Sequence, residues 1–215
     1  MKQADTWMIF DFDGTLADSF TLAHQVLNSL AKRYNFRPVA DHEVEMMRRK
    51  TAPEFFAALG VSMIKIPFLA IQARHALRDH IAGVAPIPGI AEALPRLQHL
   101  GIRMGILTSN ATENVDSFLR ANSLQSFFDF TYCSRDMFGK ARRIKALMRK
   151  YRLRPSSVIY VGDMDADIEA AKHAGIRIAA VSWGYQARDV LKAHAPTWLL
   201  DHPHQLAELF QDRAE

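Results

Sequence analysis

Two patterns of apolar residues alternate along the chain. Short runs at 7–10, 102–107, 128–133, 158–161, 176–181 and 197–200 are apolar or β-branched, carry at most one charge each, and are bounded by turn-forming residues. Runs of that length without strict alternation read as strands buried on both faces of a mostly parallel sheet. Between them, residues 90–100, 112–122, 140–151, 166–174 and 186–194 space their apolar positions three and four apart, which predicts amphipathic helices. The repeated order of strand, helix and strand predicts an α/β fold: a doubly wound, mostly parallel sheet with right-handed crossovers.

One interval departs from this rhythm. Residues 17–86 hold four helical patterns, at 22–34, 42–49, 54–59 and 68–81, and no strand pattern. The expectation is an inserted α-helical domain (17–86) in an α/β core made of 1–16 and 87–215. The exit stretch GVAPIPGI, residues 83–90, has two prolines and two glycines, which suit a hinge and the start of the next helix.

Composition narrows the class further. A chain of 215 residues, 49% apolar with a net charge of +4, is long enough for one full core and a smaller insert. The single cysteine, Cys133, excludes an internal disulfide framework and a multi-cysteine metal site, and it suits a reducing compartment. A cytoplasmic location is therefore expected. The apolar run before Asp11 is too short for a signal peptide, and no stretch approaches the roughly 20 apolar residues that span a bilayer, so no membrane partner is expected. A charge excess of four suits small anions as well as nucleic acid.

The chemistry lies where the strand patterns end. In the stretch MIFDFDGTLADS, Asp11 and Asp13 are two apart and so project to one side if the strand continues. Two carboxylates that close repel each other and lose hydration, which a cation, a proton or a polar rim must offset. The plainer alternative is a pair of solvated turn residues, with Asp13 and Gly14 as a turn dipeptide. A second acidic group, in VGDMDAD, again follows an apolar run and precedes a helix. Ligands in open α/β sheets bind outside the carboxyl ends of the strands, so Asp11, Asp13, Asp163 and Asp167 are expected to line one crevice. Oxygen donors without a Cys or His cluster point to Mg²⁺ rather than Zn²⁺. Asp165 is expected as the N-cap of the following helix. A third run ends in Thr108, Ser109 and Asn110, either an anion-binding turn or ordinary helix caps. Lys140 opens a helix whose dipole it opposes, which suggests pairing with an anion or with one of the aspartates.

Taken in this order, DFDGT (11–15), Thr108 with Ser109 and Asn110, Lys140, and GDMDAD (162–167) resemble the four motifs of the haloacid dehalogenase (HAD) superfamily. The similarity is to its phosphoglycolate-phosphatase-like hydrolases, which have a Rossmann-like core and a helical cap after the first motif. Ala141 stands where many relatives place a proline after the lysine. The resemblance implies Asp11 as the nucleophile that forms an aspartyl-phosphate, and Asp13 as the acid that protonates the leaving oxygen and then activates water. It implies Mg²⁺ held by Asp11, the Asp13 backbone carbonyl and Asp163, with Asp167 supporting the metal shell or orienting Lys140. Thr108 and Lys140, with backbone N–H groups around Gly14 and Ser109 and with Asn110 beside them, would bind the phosphoryl group. The implied partner is a small phosphorylated metabolite such as 2-phosphoglycolate, with sugar phosphates or nucleoside monophosphates as alternatives.

Within that superfamily, an aspartate at position 13 favours ester hydrolysis over dehalogenation. Phosphosugar mutases carry a cap-linker histidine whose position falls on Ala23; His24 lies one residue on, roughly 100° around a helix. Arg48, Arg49 and Lys50 are either the cap's reach toward the substrate's anionic end, Arg48 foremost, or a solvated basic turn. Residues 140–154 carry eight basic side chains and no acid. They fit an anionic-polymer binding module or, the expected reading, an amphipathic helix with its apolar stripe on the sheet and no nucleic-acid partner. Trp183 and Gly184 either wall the site or pack against it. Cys133 is expected in the core, and His202 and His204 on the surface.

Overall fold

The computed structural model describes residues 6–78, 80–134 and 139–210. Six parallel strands form one sheet in the order β3-β2-β1-β4-β5-β6. They are β1 (Trp7–Phe10), β2 (Arg103–Thr108), β3 (Phe130–Cys133), β4 (Val158–Gly162), β5 (Arg177–Val181) and β6 (Trp198–Leu200). Each falls on one of the apolar runs. Central β1 pairs Phe10 with Ile106 of β2 and with Val161 of β4, so the ends of all three strands, and the acids that follow two of them, are neighbours.

Alternate side chains of each strand enter different cores. Met8, Phe10, Met104, Ile106, Ile159 and Val161 meet α5 (Ile90–His99), α6 (Thr112–Ala121) and α10 (Gln205–Glu208). Trp7, Ile9, Leu107, Val158 and Tyr160 meet α7 (Lys140–Tyr151), α8 (Asp165–Ala174) and α9 (Arg188–Ala193). This is a doubly wound sheet, with helices on both faces because both faces are apolar. Ile144, Leu147 and Met148 of α7 are buried against the sheet, so this basic helix has the amphipathic packing expected of it.

Between β1 and α5 lie α1 (Phe20–Tyr34), α2 (Val44–Met47), α3 (Ala52–Ala58) and α4 (Ile66–Leu77). They bury apolar clusters of their own, one around Val39, Met47, Leu59 and Leu69 and one around Val26, Leu30 and Leu77. The chain enters and leaves this helical insert side by side: the Asp18 N–H bonds the Ala85 carbonyl and the Ile87 N–H bonds the Leu16 carbonyl, both at 2.9 Å.

Several element boundaries differ from the periodic reading. The pattern at 42–49 becomes a 3₁₀ turn and the four-residue α2, because Arg48 and Lys50 leave the helix for contacts with the core. The pattern at 68–81 starts earlier, at Ile66, with Pro67 in the first turn where its missing N–H is harmless, and it ends at Leu77. The pattern at 186–194 begins only at Arg188, since Gln186 is a buried linker. Among the described residues no single helix is long and apolar enough to cross a membrane.

Candidate active site

Asp11 is the first residue beyond β1, and its N–H still bonds the Val161 carbonyl of β4 at 2.8 Å. The chain then turns out of the sheet, with the Leu16 and Ala17 N–H groups both on the Phe12 carbonyl and the Phe12 ring buried edge-on against Phe118. This turn separates the environments of the two acids. Asp11 Oδ1 accepts the Phe12 N–H at 2.7 Å, and its Oδ2 accepts Lys140 Nζ at 2.5 Å. Asp13 faces other partners: Oδ2 accepts Asn110 Nδ2 and Oδ1 accepts the Ser19 hydroxyl, each at 2.9 Å.

From the end of β4, Asp163 points into the same crevice. Its Oδ1 accepts the Thr15 hydroxyl at 3.0 Å and its Oδ2 the Tyr185 N–H at 2.7 Å. The residue that caps α8 is not Asp165. Met164 occupies the N-cap position, and Asp167, in the first turn, accepts the Met164 N–H at 3.1 Å. Asp165 lies one residue too far along; its N–H goes instead to Gln186 Oε1. Asp167 does a second job, pairing with Lys140 and so fixing the ammonium between itself and Asp11. Lys140 therefore has the aspartate partners that its place at a helix N-terminus suggested.

Ligand oxygens of Asp11, Asp163 and Asp167 all lie within 4.8 Å of one another. Asp163 is 1% exposed and Asp167 fully buried. Burial, then the charges on the neighbouring acids, raises the pKa of Asp163. Burial likewise raises Asp167, although Lys140 pulls it back. Asp13 is pushed from the usual 3.8 to about 6 by burial, against the lowering effect of its bond from Asn110. Burial disfavours the Lys140 charge too, but Asp11 and Asp167 outweigh it and hold Lys140 well above its ordinary value. The site gathers buried and half-buried acids around one ammonium, with oxygen donors converging on a space that suits a hard divalent cation.

Thr108 ends β2 and is buried; its hydroxyl accepts the Asn110 N–H at 3.0 Å, which closes the turn that aims Asn110 at Asp13. Ser109 lies at the same strand end, its carbonyl bonded by Arg74 of α4 at 3.0 Å. The Gly14 N–H bonds the Ala17 carbonyl at 3.0 Å. What Gly14 provides is a φ of +71° and space: a Cβ there would lie 2.4 Å from Asp163 Oδ2. Gly184 walls the site in the same way, since its Cβ would lie 2.3 Å from that of Asp163. Trp183 packs beside it and donates its indole N–H to the Thr15 carbonyl.

The basic stretch of the insert meets the loop that follows β5 beside the site. Arg48 donates to the Tyr185 carbonyl at 3.0 Å and the Gly184 carbonyl at 2.8 Å, and its third nitrogen pairs with Glu45. Arg49 pairs with exposed Asp189, and the Lys50 carbonyl accepts Gln186 Nε2 at 3.2 Å. With the Ala187 N–H on the Arg48 carbonyl, these bonds join residues 48–50 to the β5–α9 loop. The Arg48 guanidinium thus reaches two carbonyls of that loop. His24 is likewise engaged inside the insert, with Nε2 2.9 Å from the Val39 carbonyl. Cys133 is half-buried, with its thiol pKa pushed up by burial.

Residues to which the motifs gave no role complete the site. Ser19 sits between Asp13 and the Tyr185 hydroxyl, 2.9 Å from each. Thr15 and Tyr185 hold Asp163, and Asn114 holds Asn110. Thr15 and Ser19 fall within the stretch that drew attention to Asp11, but a hydroxyl in a turn carries no signal of its partner. Asn114 and Tyr185 carry none at all, being ordinary residues of a helix and a loop.

The sequence profile of the family described as haloacid dehalogenase-like hydrolase matches residues 8–181. A phosphoglycolate phosphatase of Synechococcus elongatus is 31% identical over 201 residues, covering 94% of this chain and 95% of the relative. A pyrophosphatase of Bacillus cereus is 26% identical over 210 residues, 95% of this chain and 96% of its own. Among solved structures, a haloacid dehalogenase-like hydrolase of Streptococcus pneumoniae superposes with a TM-score of 0.80 at 23% identity, covering 97% of this chain and 99% of that one. A predicted phosphatase of Clostridium acetobutylicum gives 0.82 at 18% identity, with 96% and 98% covered.

Proposed function

Because this chain belongs to the haloacid dehalogenase-like hydrolases, we propose that it is a Mg²⁺-dependent phosphatase, hydrolysing a small phosphate monoester through an aspartyl-phosphate on Asp11. The observation that carries this reading is the cluster itself. Asp11, Asp163 and Asp167 converge around Lys140, and a separately held acid, Asp13, stands beside them with a pKa near 6. The relatives named as phosphatase and pyrophosphatase match over nearly their full length and act on phosphorus, which supports the same chemistry here.

The donor set fits Mg²⁺: carboxylate oxygens only, within reach of one ion, with burial and the neighbouring acids disfavouring the charge on Asp163. Asp11 and Asp163 would hold it with the Asp13 backbone carbonyl, and when bound it supplies the positive charge that lets an anionic nucleophile approach an anionic ester. Asp11 is oriented for attack by the Phe12 N–H and Lys140. Lys140, with the hydroxyl of Thr108, faces the charge that develops on the phosphoryl oxygens. Asp13 delivers a proton to the leaving oxygen and then takes one from water, a double role suited to a pKa near the working pH. The insert serves as a cap: bonded to the β2–α6 turn and to the β5–α9 loop, it covers the crevice and restricts entry to small esters. The mutase alternative is weakened because His24 is engaged with Val39 inside the cap. Similarity to a phosphoglycolate phosphatase makes 2-phosphoglycolate the first substrate to try, followed by sugar phosphates, nucleoside monophosphates and pyrophosphate.

The test is phosphate release from that set with Mg²⁺, with and without chelator. At least one monoester is expected to be hydrolysed, and Asp11→Asn is expected to lower the rate by about 10³-fold or more. Equal rates in wild type and Asp11→Asn overturn the covalent route, and activity that survives complete metal removal overturns the role of Mg²⁺.

A further inference from the structure

We propose that Asn114 is a positioning residue for ester cleavage: it fixes the amide of Asn110 so that its N–H end meets Asp13, and it links that arrangement to cap helix α4 through the Arg74 backbone. The inference rests on the hydrolytic reading above, in which Asp13 protonates the leaving oxygen.

Asn114 lies in the first turns of α6 and is 1% exposed. Its Nδ2 has two hydrogens and two acceptors, Asn110 Oδ1 at 2.8 Å and the Arg74 carbonyl at 3.2 Å. Asn110 Oδ1 also accepts the Ala111 N–H at 2.7 Å. A backbone N–H is a donor in every state, so this contact settles which end of the Asn110 amide is oxygen. Asn114 adds a second donor on the same atom. The opposite end is therefore NH₂, and it donates to Asp13 Oδ2 at 2.9 Å. Inverting the amide would set a carbonyl oxygen against the Asp13 carboxyl and an NH₂ against two N–H donors, all in a buried turn.

The connection to the cap runs in both directions. Arg74 donates its Nη1 to the Ser109 carbonyl, while its own carbonyl accepts from Asn114. One residue of α4 thus touches both the turn that carries Asn110 and the side chain that orients it. Both Nδ2 hydrogens of Asn114 are engaged only with α4 in place, so the acid is aimed in the same arrangement that covers the crevice.

The experiment compares kcat/KM on two monoesters. One is the best alkyl ester from the screen, whose alkoxide must be protonated to leave. The other is p-nitrophenyl phosphate, whose phenolate leaves without help. Because kcat/KM reports steps through formation of the aspartyl-phosphate, the later role of Asp13 toward water does not enter it. Asn114→Leu, close in volume and without donors, is expected to lower the alkyl value by on the order of 10- to 100-fold. The aryl value should fall by less than about 3-fold, since its leaving group makes little use of an acid. Both rates come from one preparation, so their ratio cancels the folded fraction, and Asn114→Ala gives the same comparison if the leucine variant does not accumulate. Equal losses on both esters, or no loss on either, overturn the proposal. A wild type inactive on both overturns the hydrolytic reading itself, and this inference with it.

Discussion

Each oxygen of Asp163 already accepts one protein hydrogen bond, yet its pKa is raised, so burial and the neighbouring acids outweigh those bonds. Asp163→Asn should relieve that repulsion. The amide fits the same place, with its oxygen on the Tyr185 N–H and its NH₂ toward the Thr15 hydroxyl, which can rotate to accept. The metal-free variant is expected to melt above wild type, by about 2–4 °C for each kcal/mol relieved in a chain of this size, while losing the rise that Mg²⁺ gives wild type. Thermal melts with chelator and with Mg²⁺ check both halves; a lower melting point in chelator would contradict the repulsion account. Gly14 is the opposite case. Gly14→Ala combines a φ of +71° with a Cβ 2.4 Å from Asp163 and 2.6 Å from the Tyr185 ring. Displacing Asp163 by even about 1 Å should reduce hydrolysis by about 10²-fold, measured as initial rate at saturating Mg²⁺.

Among the elements, the β5–α9 loop bears most on the site without belonging to a recognised motif. Its Tyr185 supplies an N–H to Asp163 and a hydroxyl contact to Ser19, and Arg48 of the helical insert steadies both Gly184 and Tyr185. The Arg48 guanidinium also lies 5.6 Å from the Phe20 ring, which meets Tyr185 edge-on. Arg48→Ala is expected to lower kcat/KM by about 3- to 10-fold and to weaken the apparent Mg²⁺ affinity, because two part-buried carbonyls lose charge-assisted partners. Arg49→Ala removes only an exposed pair with Asp189 and should change melting and kinetics little, since such pairs contribute roughly 0–1 kcal/mol. A Mg²⁺ titration of initial rate for the two variants distinguishes these outcomes. The basic run from Arg48 to Lys50 was visible in the chain, but not the targets of Arg48, which lie 136 and 137 residues away.

For the molecule as a whole, Asp13, Asp163 and Asp167 bind protons more tightly when folded than their ordinary 3.8 allows. Raised acids favour the folded state at low pH, so the metal-free protein should lose stability as pH rises from about 4 through 6, and further as Asp163 ionises. The acids with lowered values outside the site, Glu43, Glu54, Glu169 and Asp201, act in the opposite sense and below that window. Mg²⁺ needs the ionised carboxylates that protons would occupy. Its increment to the melting temperature should therefore be larger at pH 8 than at pH 5, as scanning calorimetry would show. Equal increments would place the bound cation away from these acids.

Short-range pattern determined the sheet, the order of its helices and the positions of Asp11, Asp13, Thr108, Lys140, Asp163 and Asp167. A strand buried on both faces and a helix buried on one impose spacings of a few residues, which the chain displays directly. The helical insert was legible for the same reason, by its missing strands. Atom-level partners were decided only by the tertiary structure. Asn110 meets Asp13 across 97 residues and Ser19 meets Tyr185 across 166, so no local spacing carries either contact. Arg48 of the insert joined backbone carbonyls of the core, and Arg49 joined Asp189, for the same physical reason. A long charged side chain pairs with whatever acceptor the packed neighbouring segment presents, and that is set by how distant segments dock.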